Sequence, residues 1–225
     1  MARFYAGIAH EIRNPLAAIS NFISMLPDRF DDPEYRDTAV RLLPNEVARI
    51  VRLADRLRLM APSEGGKLSA VALPPLLNDI VAIHSPAAKE QRVKIFLQCP
   101  EELPKIQGDP SQLVQLFVNL LRNAIEAMPD GGTVSIEAEH LSTRTTMDRV
   151  IVRVIDEGPG IDPAVRAKIF DPFFTTKPAG TGLGLSICRE IADFHRARLA
   201  LFPRTSFGGT VAEVEFPSYL PDPTR

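Results

Sequence analysis

Two segments near the N-terminus carry apolar stripes that must be buried, and this need constrains the fold more than any other feature of the sequence. The first has apolar residues at steps of three and four, which indicates one helical face: Phe4, Ile8, Ile12, Leu16, Ile19, Ile23 and Leu26. The second has the spacing of a heptad seam: Leu43, Val47, Ile50, Ala54, Leu57 and Ala61. Because two amphipathic helices cannot bury such stripes alone, we expect a helical hairpin that dimerises into a four-helix bundle. The alternative is a hairpin packed on the rest of the chain.

Proline, glycine and aspartate positions indicate the turn and the domain limits. Residues 27–33 are rich in Pro and Asp and predict a turn, and Pro44 predicts a kink or a restart within the second helix. The hydrophobic pattern changes after a Gly-containing stretch that ends at Lys67. We therefore expect one domain at residues 1–62, a linker at 63–67, a second domain at 68–219 and a tail at 220–225.

The second part of the chain alternates between helical and strand patterns. Helices are predicted at residues 73–91, 109–128, 163–170 and from about 183 to 196, and strands at 93–99, 133–141, 149–155, 198–202 and 210–216. The helix at 109 has a strong start, because Asp109 can cap it, Pro110 occupies its first position and Gln112 completes a capping box. These elements predict an α/β sandwich, and the whole chain belongs to the α+β class.

Charge and hydropathy exclude several classes of partner. The formal net charge is −2, so we expect no nucleic-acid partner and no strong attraction to an anionic membrane. No apolar run approaches the ~20 residues that a membrane helix requires, and no cleavable signal is visible. We therefore expect no membrane segment in this chain and a cytoplasmic location. Cys99 and Cys188 lie in apolar runs and are interpreted as reduced core residues.

A histidine with unusual neighbours lies in the first predicted helix, where the sequence HEIRNP begins at His10. A histidine on a helix is usually structural or merely exposed, so His10 alone is weak support for catalysis. Glu11 could accept a proton from the imidazole or fix its tautomer, which would make the other ring nitrogen a better nucleophile. Asn14 lies one turn further along on roughly the same face, and Pro15 would bend the helix there.

Two asparagines interrupt the apolar helix that begins at residue 109. Asn119 and Asn123 are four residues apart and therefore share one face. Asparagine in an apolar helix is costly unless its amide is satisfied. Hydrogen bonds from the helix to a loop would satisfy it, and so would a hard cation that arrives with a nucleotide and takes oxygen ligands.

An aspartate at a predicted strand end is followed by two glycines, in the order Asp156, Gly158 and Gly160. Glycines allow the backbone to approach a planar ligand closely, and the aspartate could accept a hydrogen bond from an exocyclic amine such as that of adenine. An ordinary Asp-Gly turn would give the same pattern.

A glycine triplet opens the last predicted helix. Gly180, Gly182 and Gly184 alternate with other residues, and free N–H groups at a helix start suit a phosphate. The spacing matches neither a Walker loop nor a dinucleotide fingerprint. Lys177 could meet a phosphate, and three aromatic residues could anchor the preceding loop: Phe170, Phe173 and Phe174.

These four motifs together resemble the H, N, G1, F and G2 boxes of bacterial two-component sensor histidine kinases, in the same order along the chain. The HEIRNP spelling, with FFTTK before the GTGLGL run, is most similar to the nitrogen-regulation and oxygen-sensing branch of that family. The resemblance implies a dimerisation and histidine phosphotransfer domain, followed by a Bergerat-type ATP-binding domain of the kind found in gyrase and mismatch-repair ATPases. The implied activity is autophosphorylation by ATP, which makes the chain a protein-histidine kinase.

The resemblance also implies roles for single residues. His10 would accept the phosphoryl group, Glu11 would take the imidazole proton, and Asn14 would position water when the kinase also removes phosphate from its partner. Asn123 would ligate Mg²⁺ and Asp156 would bind the adenine amine. The remaining residues implied to bind ATP are Asn119, Gly158, Gly160, Lys177, Gly180, Thr181, Gly182, Leu183, Gly184 and Thr210.

The implied partners are a second copy of the chain and the receiver domain of a response regulator, whose aspartate would take the phosphoryl group from His10. Because His10 lies close to the N-terminus, we expect the sensor input region to be absent from this chain or supplied separately.

Two other functions stay open at this stage: a non-catalytic pseudokinase that dimerises and docks a partner, and a hydrolytic ATPase of the gyrase class. Hydrolytic relatives carry a water-activating Glu where this chain has Asn119, which cannot act as a general base, so transfer to a residue is favoured. The chain departs from the family at His195, which is followed by Arg-Ala instead of Gly-Gly, and at Phe207, where glycine is usual. We expect both changes to be peripheral to ATP binding, and His84, His140 and His195 to be structural or surface residues.

Overall fold

A computed structural model describes residues 2–60, 68–142, 148–177, 182–204 and 208–218, without the side chains of residues 2–12, 48–49 and 51–60. The chain divides into two compact units, Met1–Gly65 and Gly66–Arg225. In the described ranges no helix is both long and apolar enough to cross a membrane.

The N-terminal unit is a hairpin of two helices, α1 (Ala2–Arg29) and α2 (Pro33–Met60). Asp32 caps α2, because its Oδ1 accepts the N–H groups of Glu34 (3.0 Å) and Tyr35 (3.3 Å), while Pro33 needs no partner at the first helical position. The turn is shorter than the sequence predicted, since α1 continues through Pro27. Pro27 removes one i→i−4 hydrogen bond, and only two residues of α1 follow it. The restart predicted at Pro44 is not observed.

One aromatic contact joins the two helices near the turn. The rings of Phe22 and Tyr35 lie 5.6 Å apart, and the Tyr35 hydroxyl donates to the Phe22 carbonyl. The predicted apolar stripe is not buried within the single hairpin, because Leu16 is 50% exposed, Ile23 58% and Val47 50%. The hairpin therefore presents an apolar surface that needs a partner.

The described residues of the second unit form three helices: α3 (Leu73–Glu90), α4 (Pro110–Glu126) and α5 (Gly184–Phe194). Its main sheet has the order β2-β4-β5-β7-β6, with β2 (Val93–Gln98), β4 (Gly132–Leu141), β5 (Arg149–Ile155), β6 (Arg198–Pro203) and β7 (Thr210–Pro217). β2 pairs with β4 in parallel, and the other neighbours are antiparallel. The mixed sheet and its helices confirm the α+β class.

Alternation along the strands separates a buried face from a charged one. Alternate residues of β4, β5 and β7 are buried towards the helices, with Phe117 of α4 6.2 Å from Phe216 of β7. The opposite face carries ion pairs across the strands: Arg153 contacts Glu139 (2.6 Å) and Glu213 (2.7 Å). The helices thus cover one face of the sheet, and the core lies between them and that face.

Two parts of this unit differ from the sequence-based prediction. Residues 163–170 form successive turns instead of a helix. Their backbone bonds, such as Val165 N–H to Asp162 C=O and Lys168 N–H to Val165 C=O, join residues three apart. An α-helix would need a continuous series of i→i−4 bonds. A small antiparallel pair, β1 (Ser69–Val71) with β3 (Ile106–Gly108), was not predicted, since three-residue strands are too short to show alternation.

The predicted capping of α4 is half right. Asp109 Oδ1 accepts the N–H groups of Ser111 (2.8 Å) and Gln112 (3.3 Å), but the reciprocal bond of a capping box is not made. Instead, the Asp109 N–H donates to His195 Nε2 (3.0 Å), and His195 Nδ1 lies 2.7 Å from the Ile191 carbonyl. His195 is therefore a buried structural link between α5 and the start of α4, and burial lowers its pKa.

Candidate active site

Asp156 is a buried carboxylate of the second unit; it follows β5 and is only 6% exposed. Its Oδ1 accepts the N–H groups of Gly158 (2.9 Å) and Thr210 (3.0 Å), and its own N–H donates to the Thr210 carbonyl (3.0 Å). Burial raises the pKa of Asp156, while these hydrogen bonds and the charge of Lys177 act in the opposite direction. The second carboxylate oxygen keeps acceptor capacity for a ligand N–H.

Glycine backbones pack directly around this aspartate. Gly209 has φ +100, and a Cβ there would lie 2.1 Å from the Asp156 carbonyl oxygen. A Cβ on Gly158 would lie 2.9 Å from the Ala127 carbonyl oxygen, and one on Gly160 would lie 3.2 Å from that of Gly209. The loops after β5 and before β7 therefore meet backbone to backbone, and no side chain fits between them.

Glu157 fastens the same loop and was not singled out by the sequence analysis. Its Oε2 accepts the Thr133 N–H at the start of β4 (3.0 Å), and its Oε1 pairs with Arg204 (3.3 Å). Phe207, where the sequence departs from the family, lies outside the described residues. The start of β4 and the residue after β6 thus both contact the Asp156 loop through Glu157.

The two asparagines of α4 have different surroundings. Asn119 interacts with the buried thiol of Cys188 on α5, whose pKa burial raises to about 12. This contact matches the structural explanation of an asparagine in an apolar helix. The Asn123 amide lies 3.7 Å from the position that a Cβ on Gly184 would occupy, so nothing separates it from the start of α5. Within the described parts of the chain its side chain makes no hydrogen bond.

The N-terminus of α5 offers backbone donors. Its N-cap residue, Leu183, makes no side-chain cap, and the Ser186 hydroxyl donates to the Leu183 carbonyl (2.9 Å) instead of accepting an N–H. The N–H groups of a first helical turn have no intrahelical partner, and together with the helix dipole they suit an anion. Gly180 and Thr181, which were predicted to take part, lie outside the described residues.

The loop that contains Phe170, Phe173 and Phe174, the phenylalanine-rich loop, is hydrogen-bonded to Gly182, two residues before α5. Gly182 has φ +65, and a Cβ there would lie 2.3 Å from the carbonyl carbon of Phe173. The Phe173 N–H donates to the Gly182 carbonyl (3.0 Å). Phe170 lies under the Arg189 guanidinium, 4.1 Å from ring centroid to Cζ. Lys177, later in the same loop, contacts α4 through an ion pair with Glu126.

Lys177 is paired in this structure, and its partner was not predicted. Its Nζ lies 2.7 Å from Glu126 Oε2, while Glu126 Oε1 lies 3.6 Å from Arg122 Nε. Neither Arg122 nor Glu126 carries a local sequence signal, because both look like ordinary exposed charges at the end of a helix.

The donor set fits a Mg²⁺ ion that arrives with a nucleotide. The described residues contain no group of three or more His, Cys, Asp or Glu side chains that could hold a metal ion. Mg²⁺ commonly takes one or two protein oxygens and completes its shell with waters and substrate phosphates. The Asn123 amide oxygen, next to the backbone N–H groups at the start of α5, can supply one such ligand.

The predicted residues of the first unit are only partly described. His10 and Glu11 lie within α1, but their side chains are outside the description. Asn14 lies one turn after His10 and is exposed. The role of each of the three stays a prediction.

Two family models match the chain. The model of the His Kinase A (phospho-acceptor) domain matches residues 1–66, and that of the histidine kinase-, DNA gyrase B- and HSP90-like ATPase matches residues 108–220. The second model covers the strands, helices and loops that surround Asp156 and Asn123.

Relatives with known names agree with both models. The C4-dicarboxylate transport sensor protein DctS of Rhodobacter capsulatus is 36% identical over 93% of this chain and 32% of its own length. Sporulation kinase A of Bacillus subtilis is 36% identical over 94% of this chain and 34% of its own length. The chain thus spans about a third of the length of these relatives.

Solved structures show the same fold. The catalytic domain of histidine kinase ThkA superposes with a TM-score of 0.60 at 32% identity, covering 67% of this chain and 95% of that one. ThkA in complex with the response regulator protein TrrA gives a TM-score of 0.69 at 29% identity, covering 96% of this chain and 61% of that one. From the matched models, the relatives and these folds, we conclude that the chain belongs to the sensor histidine kinases and contains their catalytic core.

Proposed function

We propose that this chain uses Mg-ATP to phosphorylate His10 and then passes the phosphoryl group to an aspartate on the receiver domain of a response regulator. The observation that carries the proposal is the arrangement in the second unit. A buried, preorganised acceptor for an adenine amine, Asp156, belongs to the same unit as an uncapped helix start and Asn123. Together these groups can bind the base and the phosphates of one nucleotide.

Each end of the nucleotide would meet a different type of group. Asp156 and Thr210 would accept and orient the adenine edge, and the close glycine backbones around them would leave room for the planar base. The N–H groups at the start of α5 and the Lys177 ammonium would bind the phosphate oxygens. Mg²⁺, held by Asn123, would offset the charge of the transferring group. Gly180 to Gly184 would close over the phosphates as a lid.

The chemical step would transfer the γ-phosphoryl group of ATP to a ring nitrogen of His10. A ring nitrogen of His10 would attack the γ-phosphorus, the bond to the β-bridging oxygen would break, and ADP would leave. Glu11 would take or polarise the proton on the other ring nitrogen. The receiver aspartate would later attack the phosphohistidine. Asn14 would position the water that hydrolyses the aspartyl phosphate when the core acts as a phosphatase.

The proposed partners rest on two observations. The exposed stripe of the α1–α2 hairpin, which includes Leu16, Ile23 and Val47, supports a homodimer in which four helices bury these side chains. A response regulator is supported by ThkA, which was solved in complex with one. ATP and receiver domains are found inside cells, and we propose that this core acts in the cytoplasm.

A hydrolytic ATPase is the less supported function. In hydrolytic relatives a glutamate one turn before the metal ligand activates water by accepting its proton. This chain has Asn119 at that position, and an amide cannot accept the proton of an attacking water. Its interaction with the buried thiol of Cys188 also favours a structural role for Asn119 between α4 and α5. A pseudokinase is disfavoured because Asp156, Asn123 and Lys177 are all present and grouped in one unit.

The test is incubation of the purified chain with γ-labelled ATP and Mg²⁺, followed by acid and base treatment. We expect a label on wild type that acid removes and base does not, no label on His10→Gln, and no label on Asn123→Ala. Equal labelling of wild type and His10→Gln would show that another residue is the acceptor. Steady phosphate release without any labelled protein would instead support the ATPase function.

A further inference from the structure

We propose that Glu126 is a resting counter-ion for Arg122 and Lys177, and that the phosphates of the nucleotide displace it when they bind. Glu126 would then be a positioning residue that tunes affinity according to the phosphate charge of the ligand. The inference rests on the proposed nucleotide site and concerns residues to which that site assigns no role, Glu126 and Arg122.

The geometry gives each oxygen of one carboxylate its own cation. Glu126 is the last residue of α4, one turn after Arg122. Its Oε2 lies 2.7 Å from Lys177 Nζ, and its Oε1 lies 3.6 Å from Arg122 Nε. The carboxylate therefore bridges Arg122 of its own helix and Lys177 of the phenylalanine-rich loop. Lys177 is 51 positions from Glu126 in the sequence.

The bridge lies at the end of the site that suits phosphate. The guanidinium of Arg122 is 3.9 Å from the position that a Cβ on Gly184 would occupy, and the Asn123 amide is 3.7 Å from the same position. Arg122, the Asn123 amide and the start of α5 thus lie close together, and Glu126 pairs with Arg122 and with the second cation, Lys177. Because phosphate oxygens accept from the same donors as a carboxylate, a bound nucleotide and Glu126 would compete for them.

The bridge is also weak enough to exchange. The side chains of Lys177, Glu126 and Arg122 are 38%, 43% and 52% exposed, and exposed ion pairs contribute little. Glu126 can therefore hold Lys177 beside α4 before ligand arrives without locking it there. Once phosphates bind, the displaced carboxylate remains near several negative charges and opposes binding.

Glu126→Gln removes this charge while keeping the size of the side chain. We expect it to bind ATP about three- to tenfold more tightly than wild type at low salt, ADP less so, and AMP equally, because the competition grows with phosphate charge. The gain should shrink as salt rises, since exposed charges are screened. In a Lys177→Gln background the gain from Glu126→Gln should fall to less than half.

The measurement is calorimetric titration of the full chain with Mg-ATP, Mg-ADP and AMP, made in a His10→Gln background so that no phosphoryl transfer occurs. Glu102→Gln is the matched control: Glu102 is an exposed carboxylate before β3 and makes no ion pair in the parts of the chain that the structure describes. An ATP affinity of Glu126→Gln equal to that of Glu102→Gln, or weaker, would overturn this inference alone. A starting protein that binds no ATP would overturn the proposed function and the inference with it.

Discussion

Replacing Asp156 with asparagine separates the recognition of adenine from the stability of the loop around it. Asparagine keeps an oxygen where Oδ1 accepts the N–H groups of Gly158 (2.9 Å) and Thr210 (3.0 Å). The second oxygen becomes an NH₂ group, which donates instead of accepting. The substitution therefore leaves these two backbone hydrogen bonds in place and reverses the polarity offered to the ligand.

The expected effects on stability and on binding are different in sign. Burial raises the pKa of Asp156, so the folded protein holds the charged carboxylate at a cost, and the neutral asparagine should be at least as stable at pH 7. Binding of ATP should weaken about 10- to 150-fold, because a hydrogen bond to a charged group is worth about 1.5–3 kcal/mol. Asp156→Ala, by contrast, leaves two buried N–H groups without an acceptor, which costs about 1–3 kcal/mol each.

Nucleotides that differ only at the base provide the decisive assay. Inosine triphosphate carries a carbonyl where ATP carries the amine. Its affinity should therefore be low with the Asp156 carboxylate and higher with the asparagine NH₂ group. We expect the ratio of the two dissociation constants to shift towards inosine triphosphate in Asp156→Asn, with a melting temperature no lower than that of wild type. If Asp156→Asn binds ATP within threefold of wild type and shows no shift in this ratio, Asp156 does not contact the base.

Two further predictions concern stability and can be measured by urea unfolding, followed by far-UV circular dichroism because the chain has no tryptophan. His195→Leu should lower the free energy of unfolding by about 1–3 kcal/mol, since it leaves the buried N–H of Asp109 without an acceptor; a loss below 1 kcal/mol would contradict this. Because burial lowers the pKa of His195 below its usual 6.5, wild type should lose stability as pH falls through 6.5 towards that lower value, and His195→Leu should lack this component. Gly209→Ala should reduce stability by more than 1–2 kcal/mol, about the cost of a left-handed residue alone, because its Cβ would also meet the Asp156 carbonyl at 2.1 Å, and its ATP binding should fall; an unchanged protein would refute the close backbone packing.

Patterns within one element were readable from the sequence. The heptad seam and the alternating strands predicted the helices and the five-stranded sheet, because burial of one face imposes its period on the chain. The start of α4 was predicted from Asp109 and Pro110 for the same local reason. The sequence also identified Asp156, Asn123 and Lys177, which the structure places in one unit.

Contacts between distant residues were not readable. Gln112 completes a capping box by spacing alone, yet His195, 86 residues away, takes the N–H of Asp109. The pair of Lys177 and Glu126 joins residues 51 apart, and no local pattern distinguishes Glu126 from an ordinary surface charge. Such partners are determined by how the elements pack, which composition and period do not specify.

The bond between Asp156 and Thr210 joins the end of one strand to the beginning of another, 54 residues later. During synthesis, the Asp156 carboxylate that we propose binds adenine therefore cannot be held in place before β7 (Thr210–Pro217) has emerged and paired with β5. A ligand that binds only the finished domain shifts the folding equilibrium by mass action, by about 1.4 kcal/mol for each tenfold excess over its dissociation constant. At cellular ATP concentrations, the substrate would thus act as a late check on assembly, stabilising complete kinases and leaving truncated chains to proteolysis.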